Sequence, residues 1–145
     1  MDTQIIHNLL YATSFEDAKL YLSSCSDRTT LHIYALNYNW NNGFDLPQTI
    51  INNPACTLGT ALMMFYMADG YRYLSERNES SDIPDWLSFI KDLYRRIYAG
   101  VYTDCSIAFS VPLSKVQIFK LKKLLKENEQ IFVTPIDGEN CEFTV

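Results

Sequence analysis

His7 and His32 are the two histidines of the chain, and histidine is the side chain that most readily binds metals or transfers protons near neutral pH. The two are far apart in the sequence, and each falls in a segment with helical spacing. A metal site would need carboxylate or thiolate ligands beside them, and no histidine pair with HExxH spacing is present. We therefore expect ordinary polar or half-buried histidines, with neither a metal ion nor a cofactor.

A cysteine nucleophile would need an accessible thiolate and a neighbouring base. Cys56 lies directly before a predicted helix, whose dipole could lower the pKa of the thiol. Because Pro54-Ala55-Cys56-Thr57 also fits a small apolar plug followed by an N-cap, we favour a buried, unreactive Cys56. A Cys/His pair from distant parts of the sequence stays open as an alternative. The cysteines are spread evenly, which predicts reduced thiols: Cys25, Cys56, Cys105 and Cys141.

Paired carboxylates can act as general acid and base, but only when the fold brings them into the required geometry. Asp69, Asp82, Asp85 and Asp92 could fall together or apart. A glycine-rich phosphate loop is excluded, because none of the five glycines falls in GxGxxG or GxxxxGK spacing. We predict no catalytic residue, and an unrecognised hydrolase stays as an alternative function.

Tyrosines and acidic residues occur together between residues 69 and 98. Rigid aromatic rings beside charged groups suit a protein-binding surface, because aromatic side chains bury a large area at low entropic cost. Packing in the core would explain about half of these rings equally well. We predict that this surface binds a protein partner through Asp69, Tyr71, Tyr73, Glu76, Glu79, Asp82, Asp85, Tyr94 and Tyr98.

A basic segment follows residue 115, where five lysines alternate with apolar residues before the next acid, Glu127. Such a pattern is typical of a helix that binds a membrane surface or an acidic partner. We favour a solvated helix face whose lysine stems cover the core, because many surface helices have the same composition.

Capping signals and helical spacing predict that residues 1–100 form a bundle of about six helices. Ser14 begins a helix with acid in its first turn. Asp45-Leu46-Pro47-Gln48 combines a capping aspartate, a first-turn proline and a glutamine that could reach back to the cap. The segment after Thr57 is apolar on all faces, which places it at the centre of the bundle, whereas residues 86–97 carry a single apolar stripe.

The pattern changes after Gly100. Three segments have strand character: 105–111, 131–134 and 141–145. Ser114 and Gln117 predict a capped helix after the first strand, and Asp137-Gly138 suits a turn between the other two. The predicted fold class is therefore α+β, mainly α. A single domain over residues 1–145 would contain the helical part, 1–100, and a small β-α-β-β unit, 101–145, packed on it.

The 145 residues, 48% of them hydrophobic, are enough for a globular core. The formal charge of −5 argues against general nucleic-acid binding, which needs a basic surface, and favours basic partners. The N-terminus lacks the basic region and apolar run of a signal peptide, and the longest apolar run, 61–68, is too short to cross a bilayer. We expect a cytoplasmic protein that does not bind membranes.

One segment, from Asn39 to Phe65, has a pattern of unusual residues in a fixed order. It contains NW-x-x-G at Asn39 to Gly43, P-x-x-I at Pro47 to Ile50, P-x-C at Pro54 to Cys56 and TAL-x-x-F at Thr60 to Phe65. This pattern resembles a bacterial family that is known as a domain of unknown function. The resemblance covers residues 30 to 75 and implies a fold signature of turns, helix starts and close packing, with no catalytic residue to transfer.

Small acidic bacterial proteins of this kind are often immunity proteins, which bind and neutralise a toxin encoded beside them. By this analogy we expect an immunity-type protein whose acidic, aromatic surface binds a basic, nuclease-like toxin domain. An interaction or regulatory module without a toxin is the alternative, and genome context would distinguish the two.

Overall fold

The computed structural model describes residues 2–145, and over this range it contains eight α-helices, two 3-10 helices and no strand. The α-helices are α1 (Thr3–Tyr11), α2 (Phe15–Ser24), α3 (Arg28–Asn37), α4 (Asp45–Asn52), α5 (Leu58–Met67), α6 (Gly70–Glu76), α7 (Pro84–Tyr98) and α8 (Lys115–Leu124). The 3-10 helices are Trp40–Asn42 and Glu127–Val133.

Local side-chain caps explain why many of these helices begin where they do. The capping residues are Asp2 for α1, Ser14 for α2, Asp27 for α3, Thr57 for α5 and Ser114 for α8. Each accepts a hydrogen bond from a first-turn amide that would otherwise have no partner. In α8, Ser114 and Gln117 form a reciprocal capping box, as the sequence predicted.

Helix α5 lies at the centre of the protein and packs against α3, α6 and α7. Leu62, Met64 and Phe65 are fully buried, and Gly59 approaches the backbone of Ile107 so closely that an added Cβ would lie 2.5 Å from the Ile107 oxygen. The prediction of a central, apolar helix is therefore confirmed. Its neighbour α7 buries one stripe that includes Phe89, as its spacing indicated.

The predicted C-terminal β-α-β-β unit is wrong, and so is the count of about six helices. Residues 105–111 form two isolated bridges in the described chain, Ile107 with Glu139 and Phe109 with Ile136. One bridge is parallel and the other antiparallel, so no ladder can continue between them. The second predicted strand, 131–134, belongs mainly to the 3-10 helix Glu127–Val133, and 141–145 has no strand conformation.

Side-chain hydrogen bonds connect the last residues to the N-terminal helices. The Asn37 amide donates to the Phe143 carbonyl at 2.8 Å and accepts from the Val145 amide at 3.2 Å. The Tyr11 hydroxyl donates to the Val145 carbonyl at 3.3 Å. Residues 143–145 therefore lie against α1 and α3 and do not form a sheet edge.

Within residues 2–145, no helix combines the length and the apolar character needed to pass through a lipid bilayer.

Candidate functional site

The surface predicted to bind a partner is formed by α6, α7 and the segment between them. Its first residue, Asp69, is exposed and has a left-handed backbone with φ of 62° at the start of α6. The next residue must be glycine, because a Cβ at Gly70 would lie 2.3 Å from the Phe65 ring. The Trp86 indole donates to the Ala68 carbonyl at 2.6 Å, which attaches the start of α7 to this turn.

The predicted tyrosines differ widely in exposure. Tyr73 is buried and Tyr71 and Tyr94 are half-buried, whereas Tyr98 is 45% exposed and accepts a hydrogen bond from the Asn128 amide. Tyr73 and Tyr94 pack against each other with ring centroids 5.4 Å apart. Two of the four rings therefore contribute mainly to packing, which is the structural interpretation that the sequence left open.

A buried carboxylate, Glu129, lies behind Tyr94 and was not predicted. Its Oε2 accepts from the Tyr94 hydroxyl at 2.5 Å and from Arg77 Nη2 at 2.7 Å, and its Oε1 accepts from the Lys126 amide at 3.0 Å. Burial opposes ionisation of Glu129, but these hydrogen bonds outweigh it and lower the pKa of the carboxyl. Burial and the bond to Glu129 raise the pKa of Tyr94 to about 12.

The acids of this surface are partly neutralised by bases from the same stretch. Residues 69–98 contain six acids and five bases, so their formal charge is only −1. Glu76 pairs with Arg72 at 3.1 Å, and Glu79 pairs with Lys91 at 2.7 Å. The strongly acidic surface expected from the sequence is therefore reduced to a few exposed carboxylates. Among the described residues, those without an ion pair here are Asp69, Asp82 and Asp85.

An open groove runs along α7, between α4 on one side and Tyr73 and Ile83 on the other. It consists of two adjoining depressions, of about 690 and 470 Å³, that share Gln48 and Ser88. The first is lined by Tyr73, Lys91, Asp92, Tyr94 and Arg95. The second is lined by Gly43, Phe44, Asp45, Ile83, Asp85 and Phe89. We call the two together the α4–α7 groove.

Asp92 holds the two walls of the α4–α7 groove together. Its Oδ2 accepts from Gln48 Nε2 at 2.9 Å and from Arg96 Nε at 3.1 Å, and its Oδ1 accepts from Arg95 Nη2 at 2.5 Å. Burial works against the charged form of Asp92, yet these donors prevail and lower the pKa of the carboxyl. Gln48 therefore binds across to α7. The sequence suggested that it would reach back to the cap of its own helix, and it does not.

Aromatic residues of the signature segment form the base of the groove. Phe44 packs on Phe89 with centroids 5.3 Å apart, and Trp40 contacts the same ring at 5.9 Å. Residues of the signature segment thus pack against the inward side of α7. The groove contains only some of the nine residues that were predicted to bind a partner. Asp85, Tyr73 and Tyr94 line the groove, and Glu76 lies in a neighbouring crevice. The others lie outside both.

The histidine and the cysteine considered for catalysis, His32 and Cys56, do not line the groove. His32 Nδ1 lies 2.8 Å from the Thr60 hydroxyl, and burial lowers the pKa of His32 to about 4. Cys56 is 3% exposed, and burial raises the pKa of its thiol to about 12, which disfavours the reactive thiolate. Over residues 2–145, no group of three or more histidine, cysteine or acidic side chains could hold a metal ion.

Helix α8 forms a second notable surface. Val116, Phe119 and Leu124 are each at least 60% exposed, and Lys123 lies over the Phe119 ring at 4.4 Å. For this helix the sequence favours a solvated face whose lysine stems cover the core. These three apolar residues do not fit that interpretation, because they are exposed and point away from the core. This surface is separate from the α4–α7 groove and offers a control for binding experiments.

The signature segment lies within the part of the chain that matches a known family. Residues 26–98 match the family described as Domain of unknown function (DUF4274), and this span is just over half of the 145 residues. The chain belongs to the DUF4274 family. The prediction of a domain-of-unknown-function family is thereby confirmed.

The DUF4274 span begins just before α3 and ends with α7, so it includes both walls of the α4–α7 groove. Helices α1 and α2 and residues 99–145 lie outside it. Comparison with curated proteins and with solved structures finds no match.

Proposed function

We propose that this DUF4274 protein is an immunity-type protein that neutralises a toxin domain by binding it at the α4–α7 groove. The observation that carries the proposal is the composition of one end of the groove. There the exposed Ile83 and the half-buried Phe44, which packs on the buried Phe89, line the same depression as Asp85. An apolar centre with charged residues around it is the usual anatomy of a protein-binding surface.

The charges along the groove indicate how a partner would be oriented. Asp82 and Asp85 are exposed near the start of α7, whereas Lys91 and Arg95 line the other depression. A basic segment of the toxin would contact the first end, and an acidic or polar segment would contact the second. Such complementary charges act mainly on the association rate and on the choice of partner.

Co-expression tests this function directly. Toxin domains encoded beside the gene are expressed with and without this protein, and growth and co-purification are measured. We expect that one such toxin is lethal alone, harmless in the presence of the protein and co-purified with it. Phe119→Ser, on α8 and away from the groove, should protect as well as the wild type does. Absence of binding and protection with every neighbouring toxin would refute the proposal.

A regulatory interaction module is a second candidate, and the near neutrality of the surface favours it. With a formal charge of −1 over residues 69–98, the groove does not require a strongly basic partner. Under this alternative, the gene has no toxin neighbour, and affinity purification recovers a partner whose binding depends weakly on salt.

A further inference from the structure

A separate cavity of about 330 Å³ lies between α1, α2, α3, the first 3-10 helix and the start of α4. Its volume falls in the range of roughly 300–1,000 Å³ that is common for small-molecule sites. Leu9, Phe15 and Leu46 form apolar walls. None of the described residues that line the cavity carries a charge, and this composition favours an uncharged ligand.

Tyr34 supplies a buried donor to this cavity. Its side chain is 2% exposed, and among the described residues its hydroxyl has no hydrogen-bond partner. The neighbouring Tyr38 differs, because its hydroxyl donates to the Gly43 carbonyl at 2.8 Å. Within residues 2–145, the buried polar atoms sealed from solvent without a partner are Trp40 Nε1 and Ser106 Oγ. The Tyr34 hydroxyl is not one of them, so it keeps some accessible surface, and Tyr34 lines the cavity. A hydroxyl that no protein group satisfies is free to donate to a ligand acceptor in the cavity.

The rim of the cavity carries amide groups from the signature segment. Asn39 uses its side-chain oxygen to accept from the Asn41 amide at 3.0 Å, which leaves its NH2 group available. Asn42 is exposed at the same rim. Asn37 is fully engaged by Ile33 and by residues 143–145, so it holds the wall and has no free group for a ligand.

We propose that this cavity binds a neutral small molecule with an apolar body and a carbonyl oxygen that accepts a hydrogen bond from Tyr34. Leu9, Phe15 and Leu46 would enclose the body, and the amides of Asn39 and Asn42 would bind polar groups at the opening. This proposal is independent of toxin binding, since none of the described residues lines both the cavity and the α4–α7 groove.

Benzamide and benzoate are suitable probes, because they share a shape and differ in charge. Each is titrated into the 15N-labelled full chain, and amide chemical shifts give the site and the dissociation constant. We expect saturable shifts around Tyr34, Ala18 and Asn42 with benzamide, and at least about tenfold weaker binding of benzoate, because burying an unpaired charge is costly.

Two variants test the assigned donors. Tyr34→Phe should weaken benzamide binding by about five- to tenfold, the effect of one hydrogen bond, without lowering the melting temperature. Tyr102→Phe is the matched control, because the Tyr102 hydroxyl donates to the Ile51 carbonyl at 2.8 Å and does not line the cavity: it should lower the melting temperature and leave benzamide affinity unchanged. Asn42→Ala, at an exposed position, should weaken binding about threefold or more.

Equal affinity for benzamide and benzoate would overturn the proposal. So would shifts that map away from α1, α2 and α3, the absence of saturable benzamide binding, or unchanged affinity in both Tyr34→Phe and Asn42→Ala.

Discussion

Arg77 Nη2 lies 2.7 Å from Glu129 Oε2, and this contact joins the end of α6 to the second 3-10 helix. Arg77 has a left-handed backbone with φ of 52°, and its guanidinium also lies 5.3 Å from the centroid of the Tyr94 ring. The Glu129 carboxylate therefore fixes both the C-terminal end of α6 and the Tyr94 wall of the α4–α7 groove.

Glu129→Gln should lower the free energy of unfolding by about 2 kcal/mol, measured by urea denaturation. The substitution keeps the shape but removes the charge that Arg77 and Tyr94 bind. The loss is moderate because Arg77 is partly exposed and can be solvated. Glu127→Gln, at an exposed position in the same 3-10 helix, is the control and should change stability by less than about 0.5 kcal/mol.

Stability should fall in acid as Glu129 and Asp92 take up protons. Both carboxyls have lowered pKa values in the folded protein, from ordinary values of 4.5 and 3.8. Their contribution is complete above those ordinary values and is lost as the pH falls through the lower folded ones. Urea unfolding between pH 5 and pH 2.5, about the span in which carboxyls titrate, measures this slope. Glu129→Gln should flatten it, and an unchanged slope would show that folding does not lower the pKa of Glu129.

His32 should produce a separate loss of stability at higher pH. Burial lowers its pKa from 6.5 to about 4, so the unfolded chain binds more protons between these values. The free energy of unfolding should therefore decrease as the pH falls from 6.5 to 4, by about 3 kcal/mol, and this component should level off below. His32→Gln should abolish the step, whereas His7→Gln, at an exposed position on α1, should retain it.

Gly59→Ala should destabilise the protein although alanine is the better helix former. At an open helix position this change would stabilise by about 1 kcal/mol. Here the new Cβ would meet the Ile107 carbonyl at 2.5 Å, and a backbone atom cannot rotate away. We expect a net loss of about 2 kcal/mol in thermal or urea unfolding. A gain in stability would show that residues 105–109 yield easily and are not fixed against α5.

Local signals explain what the sequence predicted correctly. The caps Ser14, Thr57 and Ser114 act through hydrogen bonds to amides within the same turn, and the apolar stripe of α7 has its own period. The signature could be recognised because Trp40, Gly43 and the residues after them occur in a fixed order. Such features depend on neighbouring residues, so one sequence is sufficient to detect them.

The errors arose where partners are distant in sequence. Residues 131–134 are the β-branched and aromatic types that strands favour, but Glu129 binds Arg77 and Tyr94 and holds this segment in a 3-10 helix. Gln48 binds Asp92 on α7 and not its own cap. The acidity of residues 69–98 was overestimated because acids were considered without the bases that pair with them. No local pattern contains these contacts.

Association kinetics with a cognate toxin domain test the central claim most directly. The double variant Asp82→Lys/Asp85→Lys reverses the charge at one end of the α4–α7 groove, where Asp85 lines the groove and Asp82 lies beside it. Asp137→Lys/Glu142→Lys makes the same charge change at exposed positions away from the groove. We predict an association rate about tenfold lower for the first variant, with a weaker salt dependence, and little change beyond the general charge effect for the second. Equal rates for the two variants would contradict toxin binding at this groove.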